Sequence, residues 1–148
     1  MTAARPAPTP RPAHLRPSLV GLVVLGGTVG TAVRNLIETV YRTPPGQFPW
    51  ATFAINVTGA FLLGALVEAL VVAPPGPRRA LQLAFGTGML GGYTTYSTFV
   101  LEDIGLGSRG AASGVVYAAG SLVAGFAAAF VAMTVVRAGV RAWDRRAR

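Results

Sequence analysis

Polar side chains recur inside segments that are otherwise apolar enough to cross a membrane. Around residues 50–72, Thr52, Asn56 and Gly59 follow at spacings of four and three, which places them on one face of a helix. The carboxamide of Asn56 offers two N–H donors and carries no formal charge, so it can solvate an anion without trapping it. An interhelical hydrogen bond that serves assembly alone is the competing interpretation of this residue.

A second polar stripe lies near the C-terminal end of the chain. Tyr117, Ser121 and Gly125 repeat every four residues, again on a single helical face. Hydroxyl groups in membrane helices often bond the carbonyl of their own residue i−4, so a purely structural role for Ser121 stays open beside a functional one.

The stretch GTGMLGGYTTYSTF at residues 86–99 concentrates glycines and then hydroxyl and aromatic side chains. The glycines predict that the helix is interrupted near Gly91–Thr95. An unwound backbone at membrane depth presents carbonyl groups that can bind a cation, and the helix that restarts after it has a positive dipole end that favours an anion. Tyr96 and Phe99, three residues apart, share one face of that restarted helix.

Composition identifies a membrane protein. Of 148 residues 52% are hydrophobic and only 12% charged, against about 25% charged in an average soluble domain. Without cysteine the chain has no disulfide, thiolate metal site or cysteine nucleophile, and its one histidine, His14, lies in a proline-rich tail, so no enzyme chemistry is expected. The arginines flank the apolar segments, which favours anionic headgroups over nucleic acid as their partner.

The pattern predicts an all-α integral membrane protein with four transmembrane helices. The predicted spans are residues 19–37, 50–72, 81–101 and 111–136, inside a domain of residues 18–138. A disordered tail rich in proline and arginine, residues 1–17, precedes this domain, and a basic tail, residues 139–148, follows it. Ten arginines fall on the side of the termini and three on the other side, so both termini are predicted to be cytoplasmic.

Small residues four apart predict close packing of these spans. The pairs are Gly26 and Gly30, Ala60 and Gly64, Gly88 and Gly92, and Ser121 and Gly125.

The polar groups within the spans indicate the class of solute. No acidic residue lies in the middle of the first or third span, and Glu68 is near the end of the second, which argues against a small proton-coupled multidrug exporter. Amide and hydroxyl donors and the positive edges of aromatic rings remain, and these suit a small anion. The exporter is kept as an alternative.

Three motifs, in order, resemble the CrcB/Fluc family of fluoride channels over residues 21–136. They are GGTVGTAVR from Gly26, TFAINVTGAFLLG from Thr52 and GTGMLGGYTTYSTFVLE from Gly86. The resemblance implies four-helix subunits with a broken third helix, assembled as an antiparallel dimer with two fluoride pores and a structural sodium ion at its centre. It further implies passive export of fluoride across the cell membrane, which lowers its toxicity.

The same resemblance assigns roles by position. The fluoride-coordinating amide falls on Asn56 and the pore aromatics on Tyr96 and Phe99. A track of hydroxyl groups falls on Ser97, Thr98 and Ser121, with Tyr117 beside it. The carbonyls that face sodium fall on Gly91 and Thr94. Further motif positions are Arg34, Thr52 and Glu102.

Two features depart from the family pattern. Tyr96 stands where the family has phenylalanine, and its hydroxyl would add a donor, take the place of a neighbouring hydroxyl or degrade the site. A subunit that lends structure to a partner's pore without conducting is therefore an alternative function. The strong arginine bias favours insertion in one orientation, so we expect a heterodimer with an oppositely oriented homologue, and the homodimer is the alternative.

Overall fold

The chain is described by a computed structural model that covers residues 16–44, 46–108 and 110–146. Within these ranges it forms helices and connecting loops with no β-strand, as the all-α prediction required. The helices are α1 (Pro17–Val40), α2 (Trp50–Val72), α3 (Pro75–Leu81), a π-helix (Gln82–Leu90), α4 (Gly91–Tyr93), α5 (Ser97–Gly107) and α6 (Ala111–Arg146). Most of the predicted N-terminal tail, residues 1–15, and residues 147–148 of the basic tail lie outside the described residues.

Three of these helices are long and apolar enough to cross a membrane. α1, α2 and α6 contain 24, 23 and 36 residues, or about 36, 35 and 54 Å of helix, against a hydrocarbon core of about 30 Å. Pro17 opens α1 at a position where a missing N–H costs nothing. α6 continues ten residues beyond the predicted span, so the basic segment is helical as far as Arg146.

The third predicted span, residues 81–101, is not one continuous helix. It is divided among the end of α3, the π-helix, α4 and the start of α5. The chain enters this region through Ala73, which is extended before Pro74, because helical geometry is disfavoured for a residue that precedes proline. The number of membrane crossings, four, therefore stays a prediction.

α1 and the π-helix approach each other backbone to backbone. A Cβ atom on Gly26 or Gly30 would collide with the carbonyl oxygens of Ala84 and Met89, respectively, and one on Gly88 would lie 2.8 Å from the Val23 carbonyl oxygen. Two of the predicted small-residue pairs thus face each other across a single interface. Only glycine allows this distance.

The successive helical segments alternate in direction, where α3, the π-helix, α4 and α5 together are counted as the third segment. Gly59 of α2 packs on Thr94 and Thr52 bonds Glu102, so α2 runs antiparallel to the third segment. A Cβ on Gly64 would lie 2.6 Å from the Ala129 carbonyl oxygen, which again requires glycine.

At the far end of the same helix pair, the Arg137 guanidinium donates Nε and Nη2 to the two Glu68 carboxylate oxygens at 2.8 and 2.9 Å. Together with the Gly64 contact, this ion pair shows that α6 runs parallel to α2. The alternating arrangement is the one expected of consecutive membrane crossings.

The glycine interface yields a prediction for stability. Gly30→Ala places a methyl group against the Met89 carbonyl, and we expect a loss of about 1–3 kcal/mol from overpacking. Gly21→Ala is the matched control, because a Cβ at Gly21 meets nothing within 4 Å. Thermal unfolding in detergent should show a lower midpoint for Gly30→Ala and an unchanged or higher one for Gly21→Ala. Equal midpoints would contradict the packing described.

Candidate functional site

The helix of the third segment breaks between α4 and α5. Thr94 leaves helical geometry with φ −75° and ψ 156°, and Thr95 and Tyr96 lead into α5. The sequence predicted an interruption near Gly91–Thr95, and the break lies at the C-terminal end of that stretch. Gly91 and Gly92 themselves stay helical.

The main chain at the break is held by a side chain from α2. Asn56 Nδ2 donates to the Thr95 carbonyl at 3.0 Å, and the Thr95 N–H donates to Asn56 Oδ1 at 3.0 Å. The carboxamide thus replaces both helical partners of Thr95. One of the two Nδ2 hydrogens is used here, which leaves the other for a ligand.

Thr95 also organises the start of α5. Its hydroxyl accepts the Thr98 N–H at 3.2 Å, donates to Thr98 Oγ1 at 3.0 Å and lies 3.4 Å from Ser97 Oγ. The first N–H groups of a helix lack main-chain partners, and this hydroxyl supplies one. Thr95 is 7% exposed. The sequence reasoning did not single out this residue, although threonine is one of the side chains that commonly cap helix N-termini.

Side chains accept two N–H groups at the break that would otherwise bond main-chain carbonyls, so those carbonyls lose their donors. In a continuous helix the Thr95 N–H would bond the Gly91 carbonyl and the Thr98 N–H would bond the Thr94 carbonyl. Both donors are engaged by side chains instead. The oxygens of Gly91 and Thr94, the two predicted to face sodium, are therefore among the carbonyls that lose their helical donors.

A groove of about 440 Å³ runs past the break, between α2, α6 and the third segment. It brings together six of the predicted site residues, which are Asn56, Gly91, Thr94, Tyr96, Phe99 and Ser121. Ser97 and Thr98 are not on its wall, and they belong to the hydroxyl cluster around Thr95.

Ser121 lines this groove, and its hydroxyl is unpaired within the described part of the chain. Its Oγ is buried and has no hydrogen-bond partner among the described residues. Thr28 and Thr58, by contrast, bond the carbonyls of Val24 and Ala54 in their own helices. The structural interpretation of Ser121 required that kind of bond, and the bond is absent here.

The aromatic residues form a stack that starts in the groove and continues inward. The Phe99 ring lies 6.3 Å from Tyr96 and 5.0 Å from Tyr117 between centroids, at 30° and 36°. Tyr117 is 1% exposed and Tyr96 is 79% exposed. Within the described chain the Tyr96 hydroxyl contacts no neighbouring hydroxyl.

Behind this stack, two motif positions that are far apart in sequence meet. Thr52 donates to Glu102 Oε1 at 2.9 Å, and the Tyr117 hydroxyl donates to Glu102 Oε2 at 3.3 Å. Thr52 is as buried as Tyr117. The carboxylate of α5 is thereby tied to α2 and α6 at once.

Arg34 is a further predicted residue that does not line the groove. It lies on α1, which contributes no residue to the wall of the groove, and its Nε is buried without a hydrogen-bond partner among the described residues.

Comparison with known proteins gives a consistent result. Residues 21–133 match the family model described as CrcB-like protein, Camphor Resistance (CrcB). The chain is 44% identical over 128 residues to a protein of Cutibacterium acnes named fluoride-specific ion channel FluC 1, which covers 82% of this chain and 87% of that protein.

Two further relatives carry similar names. Fluoride-specific ion channel FluC 2 of Nocardia farcinica is 41% identical over 129 residues, 87% of this chain and 89% of that protein. Fluoride-specific ion channel FluC of Novosphingobium aromaticivorans is 41% identical over 119 residues, 78% of this chain and 93% of that protein.

The pairing of Asn56 with Thr95 predicts a loss of protection at the break. Asn56→Ala removes both hydrogen bonds to Thr95. Each lost bond to a buried group costs about 1–3 kcal/mol, so we expect amide exchange in residues 91–99 to accelerate by about tenfold or more in Asn56→Ala.

Hydrogen exchange followed by mass spectrometry in detergent measures this. Asn35→Ala, at an exposed asparagine of α1, is the control and should leave the rate unchanged. Equal acceleration in Asn35→Ala and Asn56→Ala would mean that the carboxamide of Asn56 does not hold the break.

Proposed function

Because this chain belongs to the CrcB family, we propose that it is a subunit of a fluoride channel that lets fluoride leave the cytoplasm passively. The observation that carries this proposal is the groove that Asn56, Ser121 and two aromatic residues, Tyr96 and Phe99, line together. The prediction that the chain is not an enzyme is confirmed, since its relatives are named as ion channels. Relatives that are named as ion channels do not favour the alternative of a small proton-coupled multidrug exporter.

The groove offers hydrogen-bond donors, and no described residue that lines it carries a full positive charge. The second Nδ2 hydrogen of Asn56 and the unpaired hydroxyl of Ser121 can each point at a bound anion. The edges of the Tyr96 and Phe99 rings carry partial positive charge. These interactions replace water around fluoride and are weak enough to release it, as conduction requires.

The restarted helix adds an electrostatic contribution. α5 begins at Ser97, directly after two residues on the wall of the groove, so the positive end of its dipole lies near an anion in the groove. No acidic side chain lines this groove among the described residues, which keeps the potential there favourable for an anion.

A sodium ion fits the carbonyl oxygens at the break. The carbonyls of Gly91 and Thr94 have lost their helical donors, and unwound carbonyls of this kind coordinate sodium in membrane proteins. With these two oxygens from each chain, a second chain would double the set. When bound, the ion would supply positive charge that fixes the two broken helices relative to each other.

A second subunit would also close the groove. Tyr96 stands out from the chain at 79% exposure, and large apolar side chains of α6 such as Phe126 and Phe130 are exposed at 76% and 69%. We place the partner antiparallel, with a pore formed on each side. The excess of arginine on the terminus side favours a single orientation with both termini in the cytoplasm, and so a heterodimer with an oppositely oriented homologue in the cell membrane.

Fluoride efflux from liposomes tests the function. We expect the purified chain, alone or with an oppositely oriented homologue, to release fluoride far faster than chloride. Asn56→Asp replaces a donor with a negative charge, and loss of a hydrogen bond to an ion, about 1.5–3 kcal/mol, predicts about a tenfold or greater drop in flux. Asn35→Asp, the same substitution outside the groove, should conduct like the parent. Equal chloride and fluoride flux, or an unchanged Asn56→Asp, would contradict the proposal.

Orientation separates the heterodimer from the homodimer. With a reporter tag at each terminus of the chain expressed alone, we expect nearly all copies to have cytoplasmic termini. Arg78→Glu combined with Arg79→Glu lowers the bias in the loop before the third segment and should raise the opposite population. Equal populations of the parent chain, together with full fluoride conduction in the absence of a homologue, would identify a homodimer.

A further inference from the structure

A second groove, of about 310 Å³, lies between α2 and the start of the third segment. Three of its eight lining residues, Arg78, Gln82 and Thr87, carry polar side chains. This groove shares Leu63 and Gly86 with the groove at the helix break, so the two are neighbours along one continuous surface. None of its three polar residues has a role in the site described above.

The winding of the π-helix aligns these groups with the site. A π-helix closes its turns from residue i to residue i+5, so residues four to five apart share a face. Gln82, Thr87 and Gly91 follow at spacings of five and four, with Gly86 beside them. One face of the third segment therefore runs from the polar groove to the carbonyls at the break.

The charge of Arg78 is available to a solute. Its side chain is exposed at the wall of the groove, and within the described residues its guanidinium forms no ion pair or hydrogen bond. Arg137, at the same end of the molecule, is by contrast held by the Glu68 carboxylate. Arg79, next to Arg78, does not line the groove.

We propose that Arg78, Gln82 and Thr87 form a collecting mouth for small anions, from which fluoride passes along the π-helix to Asn56. The proposal rests on the channel function above and adds a second anion-binding position to the fluoride path. Arg78 raises the local anion concentration, and the amide of Gln82 and the hydroxyl of Thr87 replace part of the hydration shell before the anion reaches the break. The mouth opens at the arginine-rich end, which is the predicted cytoplasmic side.

Single cysteines test this cleanly, because the natural chain has none. Arg78→Cys and Arg79→Cys are each reconstituted in fluoride-loaded liposomes and treated with a cationic or an anionic methanethiosulfonate. We expect Arg78→Cys to lower fluoride efflux about two- to fivefold at low ionic strength, the cationic reagent to restore it and the anionic reagent to lower it further. Arg79→Cys should respond little to either reagent.

Ionic strength and a conservative variant complete the design. Raising the concentration of an impermeant salt to about 0.5 M, where the screening length falls below about 5 Å, should bring all variants to the same rate. Arg78→Lys keeps the charge and should conduct closer to the parent than Arg78→Cys does at low salt. A charge response that is equal at both positions, or absent at Arg78 while the parent conducts fluoride, would overturn the mouth and leave the channel function intact. A parent that passes no fluoride in any pairing would overturn the channel function and the mouth with it.

Discussion

The carboxamide of Asn56 supplies the main-chain partners that the third segment loses where its helix breaks. A buried or membrane-embedded N–H or carbonyl without a partner is costly, so an interruption at this depth is stable only if another group accepts and donates there. Asn56 does both for Thr95. An asparagine is suited to this because its donor and its acceptor point the same way with no net charge.

Other properties of the site follow from that pairing. Once Thr95 is held by α2, its hydroxyl is free to cap α5, and the carbonyls of Gly91 and Thr94 lose their helical donors. The glycine contact between α1 and the π-helix acts from the opposite side, because it fixes the third segment at backbone distance before the break is reached. The break keeps its position only if both the contact with α2 and the glycine contact with α1 are rigid.

The sequence predicted the long elements, and six of its predicted site residues line the groove at the break. The length of the apolar segments and the prolines and glycines between them were sufficient to predict α1, α2 and α6. Helical spacing placed Asn56 and Gly59 on one face of α2, and Ser121 and Gly125 on one face of α6. The π-helix could not be foreseen, since its wide turns depend on packing against α1 and leave no periodic signal. Thr95 was hidden for a related reason: its neighbours also carry hydroxyl groups, and only the fold decides which hydroxyl meets an N–H. Arg34 matched a motif, yet its helix contributes nothing to the groove wall.

Tyr96 is the most exposed aromatic side chain of the groove. Its ring completes the stack with Phe99, while Tyr117, on the inner side of the same stack, is fully enclosed. A tyrosine exposed in hydrocarbon would leave its hydroxyl without a partner, and aromatic residues with a polar tip are usually placed where that tip can bond. The hydroxyl that distinguishes this residue from the phenylalanine of the family pattern therefore points to the surface that a second subunit would cover. If the proposed partner covers this surface, the effect of the Tyr96 hydroxyl on an anion depends on which groups the partner places against it.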